Sequence, residues 1–126
     1  MEHERITIED GDFSLWAHAH SSGDDWSISI GGGTKSHIGA VAIGLPRPSL
    51  ADARTTSSSI SSICVPGHKD DEVARNAALR LSSTLNCVVV VSCGIHVDNA
   101  SNEDIKRIMT NYDELIESLI LYVKKA

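Results

Sequence analysis

Residues 87–105 read CVVVVSCGIHVDNASNEDI, and they contain the strongest strand signal of the chain, followed directly by a helix start. Four consecutive valines offer no polar face, which is typical of a strand at the centre of a sheet, covered on both sides. Ser101 and Asp104 then have the spacing of a capping box, with aspartate in place of the usual glutamate. The stretch therefore predicts a central strand that passes through a short loop directly into a helix.

Two helices follow from the 3.6-residue period. Apolar residues recur at three- and four-residue spacing from Ile105 to Val123, and two lysines come next, where the helix dipole favours positive charge. The same period runs through residues 70–86, which read DDEVARNAALRLSSTLN, with acidic residues in the first turn. We expect both segments to pack an apolar stripe against a sheet.

The first half of the chain has the alternation of strands. A meander of antiparallel strands is predicted by the segments RITIE (5–9), FSLWAHAH (13–20) and WSISI (26–30). Two further strands are predicted at HIGAVAIGL (37–45) and TTSSSISSICV (55–65). GGGTKS (31–36) is expected to break the chain, and PRPSLAD (46–52) to form a loop or helical turn, because two close prolines oppose a ladder.

These elements predict one α+β domain over residues 1–126. Its sheet is mixed, mostly antiparallel and built from about six strands, with the two main helices packed on it. The long C-terminal helix exceeds what one small sheet needs, so we expect a homodimer formed through that helix or a sheet edge.

Composition excludes several classes of partner. The chain of 126 residues is 41% hydrophobic and 22% charged, as globular domains are, and its net charge is −6. Its lysines and arginines form no cluster, which argues against nucleic acids and anionic membranes. MEHERITIEDGD at the start lacks the apolar segment of a signal peptide, and no apolar run reaches the ~20 residues of a membrane span. Three cysteines without CxxC spacing fit a reducing compartment, so we expect a cytoplasmic protein.

The histidine-containing segments are candidate sites, and each has a structural alternative. GGGTKS lacks the Gly-Lys order of a P-loop; its amides could still hold an anion, or the glycines could form a flexible turn. His18 and His20 alternate onto one strand face, where two imidazoles alone bind metal weakly. No metal is expected.

Two further segments sit at element ends. GHKD (67–70) could hold an anion through backbone N–H groups, His68 and Lys69, or could merely start the helix with Asp70 as its cap. GIHVD (94–98) follows the central strand, where open sheets place ligands. It favours a binding pocket over a catalytic triad, since no nucleophile elbow is present.

Three motifs in this order, SHIGAVAIG, GHKDDEVA and GIHVDNASNEDI, resemble the prenylated-flavin chaperone LpdD-like family, small proteins associated with gallate decarboxylase. The resemblance covers roughly residues 10–125. It implies a fold similar to that of the proteasome assembly chaperones, usually dimeric. It also implies a non-catalytic protein that holds or delivers prenylated FMN to a UbiD-type decarboxylase.

The resemblance places the cofactor-binding residues within its motifs. These are His37, Gly39, His68, Lys69, Gly94, His96 and Asp98. A flavin site needs an anion-holding corner and an apolar wall; Gly31–Lys35, Arg47 and Arg54 are further candidates for the corner, and IGAVAIG and VVVV for the wall. Trp16 and Trp26 are the candidate stacking partners.

Two other functions stay open. One is an assembly or interaction factor without a small ligand. The other is a metal-dependent hydrolase or isomerase that would use His18, His20, His68, His96 and Asp98.

Overall fold

A computed structural model describes residues 3–67 and 70–126. The strands are β1 (His3–Ile8), β2 (Leu15–Ser22), β3 (Asp25–Gly33), β4 (Ala40–Pro48), β5 (Thr56–Cys64) and β6 (Val89–His96). The helices are α1 (Asp71–Leu85) and α2 (Asn102–Lys125), and a short 3-10 turn spans Gly11–Phe13.

The six strands form one sheet in the order β1-β2-β3-β6-β4-β5. β6 pairs in parallel with β3, whereas β1–β2, β2–β3, β4–β5 and β4–β6 are antiparallel. The sheet is therefore mixed and mostly antiparallel, and the α+β prediction is confirmed. The valine-rich strand is central, as its sequence indicates.

Both helices cover the same face of the sheet. α1 packs on β4, β5 and β6, while α2 packs on β1 and β2 and touches α1. Apart from Trp26, the buried apolar side chains of the sheet are small or branched, and the core contains Leu15, Ile28, Val89, Val91, Leu81, Leu115, Ile116 and Leu119. The opposite face carries neither helix, so the prediction that the valine strand is covered on both sides is wrong: Val90, on that opposite face, is only half-buried.

Prolines and glycines extend strands where loops were predicted. Pro46 and Pro48 pair with β5 in register, opposite Ser58 and Thr56. They are tolerated because the pairing of β4 with β6 ends at Gly44, so one side of β4 needs no N–H donors beyond that point. Gly31–Gly33 likewise continue β3 between β2 and β6 and do not form a turn.

The start of α2 is fixed by two contacts. The Ser101 hydroxyl accepts the N–H of Asp104 at 3.1 Å and the Asp104 carboxylate accepts the N–H of Ser101 at 3.0 Å, so the predicted capping box is confirmed. One turn further, the Arg107 guanidinium pairs with the Asp10 carboxylate and lowers the pKa of that group to about 2. Within the described ranges, neither helix has the length and apolar content needed to cross a bilayer.

Candidate functional site

A cavity of about 440 Å³ lies where β6 ends, between the start of α1 and the first half of α2. The carboxyl end of a central strand is where open sheets place ligands. The residues that line it are His37, Gly67, Asp70, Val73, Ile95, His96, Val97, Ala100, Ile105, Ile108, Met109 and Tyr112.

The polar side of this cavity is built around Asp70. The Oδ2 atom of Asp70 lies 3.0 Å from His37 Nε2, and its Oδ1 atom accepts the N–H of Ile95 at 3.1 Å. The residue is 7% exposed. Because a carboxylate only accepts hydrogen bonds, Nε2 of His37 carries the hydrogen, and the buried pair fixes the orientation of the imidazole ring.

Asp70 is the site residue that sequence reasoning missed. It occupies the N-cap position of α1, and the sequence predicts it as a helix cap. Its side chain makes no capping hydrogen bond and turns towards His37. The only signal in the sequence is the motif GHKD, which has two equally good local interpretations.

Two of the predicted glycines, Gly39 and Gly94, leave the space that His37 and Asp70 occupy. A Cβ atom on Gly39 would lie 1.9 Å from Asp70 Oδ2, and one on Gly94 would lie 1.7 Å from the carbonyl oxygen of His37. Real Cβ atoms do not approach this closely. Gly39 and Gly94 are therefore required for the close approach of the backbone to the His37–Asp70 pair, and they lie outside the lining of the cavity.

His96 lies at the mouth of the cavity. Its Nε2 atom is 2.9 Å from Asp98 Oδ1, and its ring centroid is 6.5 Å from that of His37. The side chains of His96 and Asp98 are 52% and 72% exposed. Asp98 does not line the cavity and reaches it only through His96.

The loop after β3 is hydrogen-bonded to the backbone of His96 and Asp98. The N–H of Thr34 donates to the carbonyl oxygen of His96 at 2.7 Å, and its hydroxyl accepts the N–H of Asp98 at 3.2 Å. Because Thr34 joins the ends of β3 and β6, the glycine-rich segment contributes support to the site through that residue. The N–H of Lys35 also donates to the His96 carbonyl, at 3.3 Å.

The structure thus brings His37 and His96 to one cavity, although His37 comes from the β3–β4 connection and His96 from the end of β6. His68 and Lys69 fall outside the described residues, but Gly67 and Asp70, their neighbours in sequence, both line the cavity. No lysine or arginine occurs among the described lining residues. Arg47 contacts Ser59, and Arg54 contacts Asp52; neither belongs to the lining.

The apolar wall is not the predicted one. No residue of IGAVAIG or VVVV lines the cavity, because most of these two segments lies within strands β4 and β6. The apolar wall comes mainly from α2, through Ile105, Ile108, Met109 and Tyr112. These four lie at positions i, i+3, i+4 and i+7, so they share one helix face. Burial raises the pKa of the Tyr112 hydroxyl, which lies 2.8 Å from Asn76 Oδ1, so the phenol stays neutral.

The tryptophans lie elsewhere. Trp16 packs against Gly31 and edge-on against His18, on the sheet face opposite the helices. Trp26 lines a second cavity of about 360 Å³ at the other end of the sheet, together with Leu85, Cys87 and Val123. Neither is a stacking partner in the first cavity.

No group of three or more metal-binding side chains occurs within residues 3–67 and 70–126. His18 and His20 therefore have no third metal-binding side chain beside them among the described residues. The same is true of His96 and Asp98. A metal-dependent hydrolase gains no support from this geometry.

Comparison with known proteins gives two similarities. A family model described as the prenylated flavin chaperone LpdD-like domain matches residues 9–124. A solved structure, "Crystal Structure of a Novel Chaperone Complex for Yeast 20S Proteasome Assembly", is similar with a TM-score of 0.58 and 16% sequence identity, over 98% of this chain and 95% of that one. At that identity the likeness concerns the fold. No curated protein sequence matches the chain.

Proposed function

The chain belongs to the prenylated flavin chaperone LpdD-like family, and from that membership we propose that it holds prenylated FMN and delivers it to a UbiD-type decarboxylase. In this role it is a non-catalytic, cytoplasmic homodimer. The observation that carries the proposal is the cavity that joins His37, Asp70 and His96 to an apolar face of α2.

The shape and lining of the cavity suit a flavin. About 440 Å³ falls within the ~300–1,000 Å³ of ordinary small-molecule sites. The apolar α2 face would contact the ring system, and the His37–Asp70 pair would give it directed polar contacts. Prenylated FMN supplies the decarboxylation chemistry of the partner enzyme; here the chain's own residues only bind it and limit its contact with water.

The phosphate of the ligand needs a separate anchor. The first-turn N–H groups of α1 have no side-chain cap, because the Asp70 carboxylate is turned away. Amides at a helix start bind anions, and the sequence places His68 and Lys69 next to this turn, where they would offset the negative charges of Asp71 and Glu72 in the same turn. We assign the phosphate to this corner and the rings to α2.

A spectrum of freshly purified protein tests the proposal. The chain is co-expressed with a flavin prenyltransferase, purified anaerobically and measured in the visible range. About one flavin per chain is expected. A His20→Ala variant, altered on the opposite sheet face, serves as the control and should retain the flavin. Colourless wild-type protein would remove the carrier function.

His96→Ala separates binding from stability. Because the His96 side chain is half exposed and contacts only Asp98 among the described side-chain hydrogen bonds, its removal should change the free energy of unfolding by less than about 0.5 kcal/mol. The Kd for prenylated FMN should rise about tenfold, the equivalent of one hydrogen bond. Titration and urea unfolding of the two proteins give both numbers. A large loss of stability with unchanged Kd would make His96 structural.

A second candidate is an assembly factor without a small ligand. It is favoured by the uncovered sheet face, where Leu45 and Ile63 are 45% and 78% exposed. Such a protein would be colourless under all conditions and would co-purify with a larger partner. The flavin spectrum therefore distinguishes the two candidates.

A further inference from the structure

One face of the sheet is left uncovered by both helices. Side chains alternate across a strand, so the registers assign the outward-facing residues. We call these residues the open face: Arg5, Thr7, Trp16, His18, His20, Ser22, Asp25, Ser27, Ser29, Val90, Ser92, Val41, Ile43, Leu45, Arg47, Ser57, Ser59, Ser61 and Ile63.

Five apolar side chains lie together on this face. Val41 is opposite Ile63 in the β4–β5 ladder, and Ile43 is opposite Val90 in the β4–β6 ladder, with Leu45 two residues further along β4. Val41, Leu45 and Ile63 are 39%, 45% and 78% exposed. A contiguous apolar patch of this kind on a soluble domain marks a contact surface.

The distribution of charge on the open face favours a second copy of this chain as the partner that covers it. The chain carries 17 acidic residues and a net charge of −6, so two copies repel each other on average. Among the described residues, the open face contains a single acidic one, Asp25 at the first position of β3, whose carboxylate accepts the N–H of Val88 at 2.9 Å. The face carries Arg5 and Arg47 beside this one aspartate, so copies of this chain can meet on it without bringing their acidic excess together.

The helices do not offer the same opportunity. The exposed side of α2 carries Asp113, Glu114 and Glu117, of which Asp113 and Glu117 pair with Arg80 of α1, so a second copy placed there would have to bury a group of charged side chains. The predicted contact through the long helix is for this reason unfavourable.

We infer that the open face is the interface between two copies of this chain, packed sheet against sheet with the apolar patches in contact. The inference rests on the homodimer of the proposed function and adds the face through which it forms. Six strands about 4.8 Å apart and about 20 Å long give a face of roughly 580 Å², of the order of the ~800 Å² of accessible surface that a standard interface buries on each partner. In a dimer with a two-fold axis, the apolar patch of one copy contacts the same patch of the other copy.

Ile63→Glu tests the face directly. Sedimentation of the full chain over a range of concentrations should give a dimer for wild type and a monomer for the variant, with the dimer Kd raised at least a hundredfold. Since Ile63 is 78% exposed in the single chain, the variant should keep its fold, as far-UV circular dichroism would verify. Leu45→Glu should behave in the same way.

Matched controls place the charge elsewhere. Leu121→Glu, on α2, and Leu50→Glu, in the β4–β5 connection, alter side chains that are 59% and 92% exposed and should leave the dimer intact. If Leu121→Glu loses the dimer and Ile63→Glu keeps it, the open face is not the interface, although the protein is still a homodimer. A monomeric wild type at every concentration would overturn both, while the flavin spectrum decides the carrier function independently.

Discussion

Gly94→Ala is expected to lower the free energy of unfolding by about 3 kcal/mol and to abolish flavin binding. The new Cβ would lie 1.7 Å from the carbonyl oxygen of His37 and 2.3 Å from its carbonyl carbon. Both are backbone atoms, so no rotamer change relieves the clash, and overpacking of this kind costs about 1–3 kcal/mol or more. Either β6 or the His37 segment must move, and His37 then leaves the cavity.

Gly11→Ala is the matched control. Gly11 has a φ of +55° and open space around its Cα, so alanine there is strained only by its backbone conformation. We expect a loss of about 1–2 kcal/mol and no change in Kd. Urea unfolding and ligand titration of the three proteins make the comparison. A Gly94→Ala protein with wild-type stability and binding would show that the close approach of β6 to His37 is not required.

Asp70→Ala is the second large effect. The substitution removes both hydrogen bonds of a carboxylate that is 7% exposed and leaves the Ile95 N–H and the His37 ring without their acceptor. An unsatisfied buried donor costs about 1–3 kcal/mol, and because these two donors are only part-buried we expect stability to fall by about 2–4 kcal/mol. The affinity for prenylated FMN should fall about a hundredfold, because the imidazole is no longer oriented.

Asp71→Ala, one position later, is the control for charge. Its carboxylate has the same charge and nearly the same place in the chain, but none of the hydrogen bonds described above. The imidazole ¹⁵N shifts of His37 provide a readout that general destabilisation does not move, and they should change in Asp70→Ala alone. Unchanged shifts in that variant would contradict the pairing.

The parts of the fold that depend on local pattern were predictable from the sequence. The capping box at Ser101 and Asp104 is complete within four residues, and the apolar stripe of α2 repeats along its own helix. The same holds for the alternation of β2 and β3. Each of these signals lies in neighbouring residues, so no knowledge of the rest of the chain is needed.

The wrong secondary-structure predictions fall on segments whose conformation depends on pairing with strands that are distant in sequence. Pro46 reads as a loop residue, and it lies in a ladder because the neighbouring strand β6 ends its pairing at Gly44. Gly31–Gly33 read as a turn, but they continue β3 because they pair with β6, and a Cβ on Gly31 or Gly33 would clash with Trp16 or with the His96 carbonyl group. Only the sheet order supplies these facts.

The candidate site divides in the same way. His37 and His96 were identified as candidates, and the sheet order brings them to one cavity. Asp70 was read as a cap, since its contact with His37 crosses from one segment to another. The α2 wall was missed because a stripe that lines a cavity has the same period as one that packs in a core. Ile105 and Tyr112 belong to the same stripe, yet Ile105 is 50% exposed and Tyr112 is buried.

An NMR titration of ¹⁵N-labelled protein with prenylated FMN shows whether the flavin binds in the cavity at the end of β6. Binding in the first cavity predicts that the amide signals of Ile95, Val97 and Ala100, together with those of Ile108 and Met109, shift at stoichiometric ligand. Signals at the second cavity, such as Gly23 and Thr84, should stay in place. Shifts confined to the second cavity, or none at all, would show that the first cavity is not a flavin site.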